Sequence, residues 1–292
     1  MALTRRRAER PALTTYEVAS PRVPACFDGF RILQVSDLHQ KRFGPRHRRL
    51  VEAAGRCRPE LIAVTGDLTL RREWEGEYVA DLARQLSQMA PVYFVCGNHE
   101  AACRDLPALL QALADNGVRV LHPSGREALV RPGGSITVAG TGGSIMMAGI
   151  ADPRFHAREP AQWGANLAGL RGGVDGDPYT VLLSHRPERF AEYTQAGFDL
   201  VLAGHAHGGQ IRLPGIGGLY APDQGFLPRY SCGCSQAGRT AMVVSRGLGD
   251  SGPFLRLFNP PELVMVRLVA LDAGQPPWAA IPGTFAVHPG RG

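Results

Sequence analysis

Five polar clusters in this 292-residue chain each close a short apolar run. They read SDLH (36–39), GDL (66–68), GNHE (97–100), SH (184–185) and GHAHG (204–208). Together they supply Asp37, His39, Asp67, Asn98, His185, His205 and His207, with His99 beside them. Carboxylate, amide oxygen and imidazole form a donor set for Mn2+, Fe, Zn2+ or Co2+ rather than Ca2+, which prefers oxygen alone. Seven ligands are too many for one ion and suit two divalent ions that share a carboxylate. A lone histidine after a strand is ordinarily a satisfied polar residue. Five such clusters in succession, each at a strand end, make metal chemistry the stronger reading. Glycines 66, 97, 204 and 208 let the backbone turn sharply there.

The runs that deliver these clusters are RILQVS (31–36), LIAVT (61–65), VYFVC (92–96), TVLLS (180–184) and LVLAG (200–204). They are almost continuously apolar, as expected of strands covered on both faces. Helical spacing appears between them at 47–57, 77–89 and 106–117, the last stopping on Asn116-Gly117. In open α/β sheets, sites gather beyond the carboxyl ends of strands, which is where the clusters fall. After Gly208 the pattern becomes strand-rich, with GGQIRLP, GRTAMVVSRG and ELVMVRLVAL joined by Gly/Pro loops. With no low-complexity linker between the halves, one domain with two sheets over residues 1–272 is expected. Within it, residues 1–13 read as a basic N-terminal arm. Residues 273–292 read as an irregular Pro/Gly-rich tail.

Hydrophobic residues make up 44% and charged residues 20% of the chain, in the range of a soluble globular protein. The net charge of +6 suits an anionic substrate or membrane surface without requiring either. No run is long and apolar enough to span a bilayer. Arg5-Arg6-Arg7 is followed by Ala8, Glu9, Arg10 and Pro11 rather than by the apolar stretch of a secretory signal. A cytoplasmic location is therefore expected, with peripheral contact on the inner membrane face as its extension. The six cysteines show no CxxC spacing, so neither a zinc finger nor a disulfide scaffold is expected. Cys57 and Cys96 read as small core residues, and Cys232-Gly-Cys234 as a plain loop.

The blocks Asp37-x-His39, Gly66-Asp67, Gly97-Asn98-His99-Glu100, His185 and Gly204-His205-x-His207 resemble the signature of the calcineurin-like metallophosphoesterases. The stretch VSRGLGDSGPFLRLFNPPELVMVRL (244–268) is similar to the end of a bacterial, often membrane-associated phosphodiesterase subgroup. The resemblance runs from about residue 14 to 271. It implies an α/β fold, a four-layer αββα sandwich with two facing mixed β-sheets. It implies one metal held by Asp37, His39, Asp67 and His207, and a second held by Asp67, Asn98, His185 and His205. It further implies in-line attack on phosphorus by a metal-bridging hydroxide. His99 would protonate or stabilise the leaving oxygen, and Glu100 would support its loop.

Two departures narrow the substrate. Relatives that use this histidine as a strong acid often carry an Asp three residues after the bridging Asp; here that position is Leu70. Phosphoprotein phosphatases carry an Arg before Gly-Asn-His-Glu; here it is Cys96. Both favour a phosphodiester or pyrophosphate substrate over a phosphoprotein. The subgroup includes hydrolases of UDP-2,3-diacylglucosamine, and GFLPRY (225–230) is an apolar loop suited to a lipid-linked substrate. Arg246 is a candidate phosphate contact, against the ordinary alternative of a solvated loop arginine. The competing readings are a catalytically silent scaffold on the same fold, or a nuclease. Retention of every ligand and of His99 speaks against the first. The lack of a basic-aromatic stripe speaks against nucleic acid as a partner.

Overall fold

The computed structural model describes residues 10–71, 74–130, 143–171, 178–250 and 256–272. In chain order the first sheet receives β1 (Ala12–Ser20), β2 (Arg31–Val35), β3 (Leu61–Val64), β4 (Val92–Phe94) and β5 (Val118–Val120). The second receives β6 (Ser124–Val130), β7 (Ser144–Ile150), β8 (Tyr179–Leu183) and β9 (Leu200–Ala203). Two small hairpins follow: β10 (Arg212–Leu213) with β11 (Gly217–Gly218), and β12 (Tyr220–Ala221) with β13 (Gly225–Phe226). The chain then adds β14 (Gly233–Ala237) and β15 (Thr240–Val244) to the second sheet. It returns to the first with β16 (Glu262–Ala270).

The resulting orders are β1-β16-β2-β3-β4-β5 and β14-β15-β9-β8-β7-β6. Both sheets are mixed. β16 runs parallel to β1 but antiparallel to β2, while β2, β3, β4 and β5 are mutually parallel. The alternation of side chains along each strand sorts them into layers. Ile32, Leu61, Ala63 and Tyr93 face inward and meet Val181, Leu183, Leu200, Leu202 and Val243 from the other sheet. Leu33, Val35, Ile62, Val64 and Phe94 face outward under α1 (Arg48–Arg56), α2 (Gly76–Ser87) and α3 (Leu106–Asp115). On the far side, Leu182, Val201, Met242 and Val244 lie under α4 (Pro160–Arg171) and α5 (Phe190–Ala196). Helix, sheet, sheet, helix is the four-layer arrangement expected. The inner strands are apolar on both faces because both faces are covered.

The structure departs from the sequence reading in several elements. β1 starts at Ala12, inside the expected basic arm, and is drawn into register by β16, with Ala12 opposite Glu262. GGQIRLP yields only the two residues of β10, because its Gly/Pro-rich surroundings fold back onto Gly217–Gly218 instead of joining a sheet. Residues 1–9 and the expected tail at 273–292 lie outside the described residues. All six cysteines are free, and Cys96 is fully buried, whereas Cys57 is only partly so. Among the described residues no helix is long and apolar enough to cross a membrane.

Candidate metal centre

The loops after β2, β3, β4, β8 and β9 meet at one edge of the sandwich. Asp37, His39, Asp67 and His207 form one buried group of potential ligands, and Asp67, His185 and His205 form another. The two groups share Asp67. All the predicted ligands are at least nine-tenths buried, and Asp37 and His185 are fully so. The Nε2 atoms of His39 and His207 face each other at 3.1 Å. Asp67 Oδ2 lies 3.8 Å from His39 Nε2 and 3.4 Å from His185 Nε2. Asp37 Oδ1 lies 3.4 Å from His207 Nε2. Asn98 Oδ1 lies 3.2 Å from His185 Nε2.

Three of the four candidate histidine ligands are held neutral. Burial lowers the pKa of His39 and of His205 to about 4 and that of His207 well below its ordinary value, so these imidazoles are neutral near pH 7. His185 differs. Burial alone would lower it, but the adjacent Asp67 carboxylate prevails and raises it to about 10. Burial, aided by Asp67, pushes Asp37 up to about 6. The site packs carboxylates, an amide oxygen and imidazole lone pairs together, and His39 Nδ1 is buried with no hydrogen-bond partner. The donor chemistry fits divalent metal.

The backbone is bent to make this convergence. Asp37, His39, Asp67, His205 and His207 all have left-handed φ, between 47° and 66°. Such conformations cost non-glycine residues of order 1–3 kcal/mol each. Specific hydrogen bonds hold them. Asp37 accepts from the His205 N–H at 3.0 Å and from Ser36 Oγ at 2.6 Å. His185 Nδ1 lies 2.7 Å from the Thr65 carbonyl, to which it donates, turning Nε2 toward Asp67 and Asn98.

Glu100 is fully buried and accepts from the N–H groups of Asp67, Gly97 and Thr69, at 2.8, 2.8 and 3.0 Å, and from Thr69 Oγ1 at 3.1 Å. It ties the β3 loop to the β4 loop, the supporting place expected of it. Glu100→Ala would strand three buried backbone donors, at about 1–3 kcal/mol each, and the Thr69 hydroxyl. Thermal unfolding should show a melting temperature lower by on the order of 10 °C. A variant that melts with the parent would reject this role.

His99 stands at the rim. Its side chain is 17% exposed, its Nε2 is 3.8 Å from Asp67 Oδ2, and its ring meets that of His39 edge-on. Its Nδ1 is buried without a hydrogen-bond partner. Burial lowers its pKa against the opposing pull of Asp67.

Arg246 is engaged by Glu262. Its Nη2 lies 2.7 Å and its Nε 2.9 Å from Glu262 Oε1, and its backbone N–H donates to Oε2 of the same buried carboxylate. The ion pair uses its charge to fasten the β15 end to β16. Three groups unremarked in the sequence lie at the site instead. Arg256 Nη2 is 3.3 Å from His207 Nδ1. Arg186 Nη1 and Asp223 Oδ2 lie 2.8 and 2.9 Å from His205 Nε2. Arg186 adjoins His185 and was open to suspicion; Asp223 and Arg256 carry no spacing signal.

Comparison with known proteins agrees with this geometry. The family model for calcineurin-like phosphoesterases matches residues 30–209. The chain belongs to the calcineurin-like phosphoesterase family, and it is a hydrolase acting on phosphoester bonds. The chain is 27% identical over 259 residues to the uncharacterized metallophosphoesterase YkuE of Bacillus subtilis, covering 87% of this chain and 84% of that one. It is 29% identical over 245 residues to the phosphodiesterase YaeI of Escherichia coli, covering 82% of each. Among solved structures, GAP50, the anchor in the inner membrane complex of Plasmodium, superposes with a TM-score of 0.50 at 11% identity. That match covers 75% of this chain and 72% of that one, and it bears on the fold alone.

Proposed function

We propose that this protein is a dinuclear metal-dependent phosphohydrolase cleaving a phosphodiester or pyrophosphate bond. The observation that carries the reading is the buried convergence of two ligand groups on Asp67. One divalent ion is assigned to Asp37, His39, Asp67 and His207, the other to Asp67, Asn98, His185 and His205. Such a pair supplies an activated water and neutralises charge on the phosphoryl oxygens. The chain's own residues hold the reactants and move a proton. Glu100 fixes the loops of Asp67 and Asn98, and the Thr65 carbonyl fixes the His185 ring. His99, at the accessible rim, gives its Nε2 proton to the departing oxygen. With its Nδ1 unpartnered and its pKa lowered by burial, it is a modest acid reserve at neutral pH. That favours leaving groups stable as anions, such as a nucleotide phosphate or an aryl oxide, over simple alkoxides.

A lipid-linked pyrophosphate of the UDP-2,3-diacylglucosamine kind, met at the inner membrane face, is the finer part of the proposal. Its support is an apolar face beside the site. Ile216, Tyr220, Phe226, Leu227, Leu257 and Phe258 are 40–84% exposed. Their segments are joined by backbone bonds: Arg212 N–H to Leu257 O, Leu219 N–H to Ile211 O, and Leu227 N–H to Leu219 O. Leu219 N–H also donates to Gly209 O, two residues beyond His207. Arg212 and Arg229 lie in the same stretch, whose single carboxylate, Asp223, is tied to Arg186 and His205. Burying Phe226 and Leu227 in a bilayer surface is worth about 1.5–3 kcal/mol each.

The test is Mn2+-dependent hydrolysis of bis(p-nitrophenyl) phosphate, p-nitrophenyl phosphate and UDP-2,3-diacylglucosamine. Diester over monoester, with turnover lost in chelator, is the expected result; a monoester preference or metal-independent turnover would overturn the core reading. The doubly substituted Phe226→Ser, Leu227→Ser protein should bind phosphatidylglycerol vesicles at least about 10-fold more weakly than the parent in co-sedimentation. Equal binding would remove the membrane contact while leaving the phosphohydrolase reading intact.

A further inference from the structure

We infer that Asp223, on the β12–β13 hairpin, is a positioning residue for the second metal, acting through His205; this rests on the dinuclear reading above. The argument begins with the two nitrogens of one ring. His205 is buried, and its Nε2 is flanked by Asp223 Oδ2 at 2.9 Å and Arg186 Nη1 at 2.8 Å. A cation at Nε2 would have to sit against the Arg186 guanidinium, which is itself held by Asp152, Glu188 and Asp223. Metal therefore belongs on Nδ1 and the ring proton on Nε2, with the two Nη1 hydrogens of Arg186 directed to Asp223 and Glu188 rather than to the ring.

That assignment needs an acceptor for Nε2–H, and Arg186 has none to offer. Asp223 has one. Its carboxylate accepts from His205 Nε2–H and also from Arg186. One oxygen, Oδ2, faces both the ring nitrogen and the guanidinium. A carboxylate on the far nitrogen of a metal-bound histidine fixes the tautomer, aims the ring and makes the ligating nitrogen more basic. His185 is held in the same manner by the Thr65 carbonyl at 2.7 Å. Both imidazoles assigned to the second metal thus have an outer acceptor.

The anchoring of Asp223 shows a position built for this task. The residue has φ 59°, a left-handed conformation unusual for a non-glycine residue, within a short hairpin whose Ala221 is fully buried. Behind it, Arg186 reaches both oxygens of fully buried Asp152, whose N–H donates to Cys96 O at 2.9 Å. The chain of contacts Asp223–Arg186–Asp152–Cys96 fastens the hairpin to the end of β4, where Asn98 also originates. Yet Asp223 itself is 45% exposed, so the outer acceptor of one metal ligand lies on a surface hairpin that also carries Phe226.

The test is metal binding by the full-length protein, stripped by chelator and titrated with Mn2+ by calorimetry, with Co2+ absorption as a second signal. The parent should bind two ions. Asp223→Ala should weaken one of them 10- to 100-fold and change its Co2+ spectrum, leaving the other within about 2-fold. Asp223→Asn keeps an oxygen acceptor at the same place and should restore the weakened ion to within about 5-fold of the parent. Two ions bound by Asp223→Ala as tightly as by the parent would overturn the inference. So would equal weakening of both ions without rescue by asparagine, because that marks general loosening of the hairpin. If the parent binds no ion, the dinuclear reading fails first, a result distinct from either.

Discussion

Asp67→Ala should retain no more than about one thousandth of the parent's Mn2+-dependent hydrolysis of bis(p-nitrophenyl) phosphate, a loss of roughly 4 kcal/mol of transition-state stabilisation. Asp67 is the residue common to both ligand groups, so its removal takes a donor from each ion at once. Its Oδ2 lies within 3.8 Å of Nε2 of His39, His99 and His185. Its Oδ1 accepts the His99 N–H at 2.8 Å, placing the proposed acid relative to the metals. No neighbour can replace it. Asp37 is engaged by Ser36 and the His205 N–H, and Glu100 is committed to three backbone donors. Asp67→Asn separates charge from shape, since it preserves volume and the acceptor for His99. It should fail almost as badly, and both proteins should show parental far-ultraviolet circular dichroism. If either folded variant keeps a tenth of the parent's rate, the shared-carboxylate site is wrong.

The candidate ligands are legible because delivery from strand ends imposes a pattern on sequence. Each sits immediately after a strand apolar enough to read unaided, and a strand end can aim a side chain only over a short distance. The outer parts left weaker traces. α4 has Trp163, Leu167 and Leu170 on its buried side, but Gly164 and Gly169 dilute the helical signal. β6 is largely exposed, so it lacks an apolar run and is defined by its pairing with β7. Arg246 illustrates the limit of reading charge. As a loop arginine in the SRGLG block it is a natural candidate for a phosphate, but its partner, Glu262, arrives from a strand that crosses back into the other sheet. Asp223 shows the converse. In APDQG it is ordinary turn chemistry, and only the fold brings it to His205.

The strand-end glycines carry the last of that geometry, and Gly97→Ala should show it. A Cβ at Gly97 would stand 2.6 Å from the Asp67 backbone nitrogen and 3.0 Å from its Cγ, and would press on Oδ1. The Asp67 nitrogen cannot retreat easily, because its hydrogen is held by Glu100, which also holds the Gly97 N–H. A Cβ at the facing Gly66 would come within 2.7 Å of Gly97 Cα, so the two loops already touch backbone to backbone. The added methyl must therefore push the shared carboxylate away from His185 and His39. Overpacking of this kind costs about 1–3 kcal/mol, and displacement of a catalytic group by about 1 Å costs on the order of 100-fold in rate. Diester turnover should fall by that factor, with a melting temperature lower by several degrees. Gly164→Ala is the comparison. That glycine lies in α4 with nothing within 4 Å of its added Cβ. Alanine there should leave turnover unchanged and raise stability by about 0.5–1 kcal/mol through helix propensity. A Gly97→Ala protein matching the Gly164→Ala protein in both rate and melting temperature would show that the loops yield freely, and that the backbone contact between them does not set the position of Asp67.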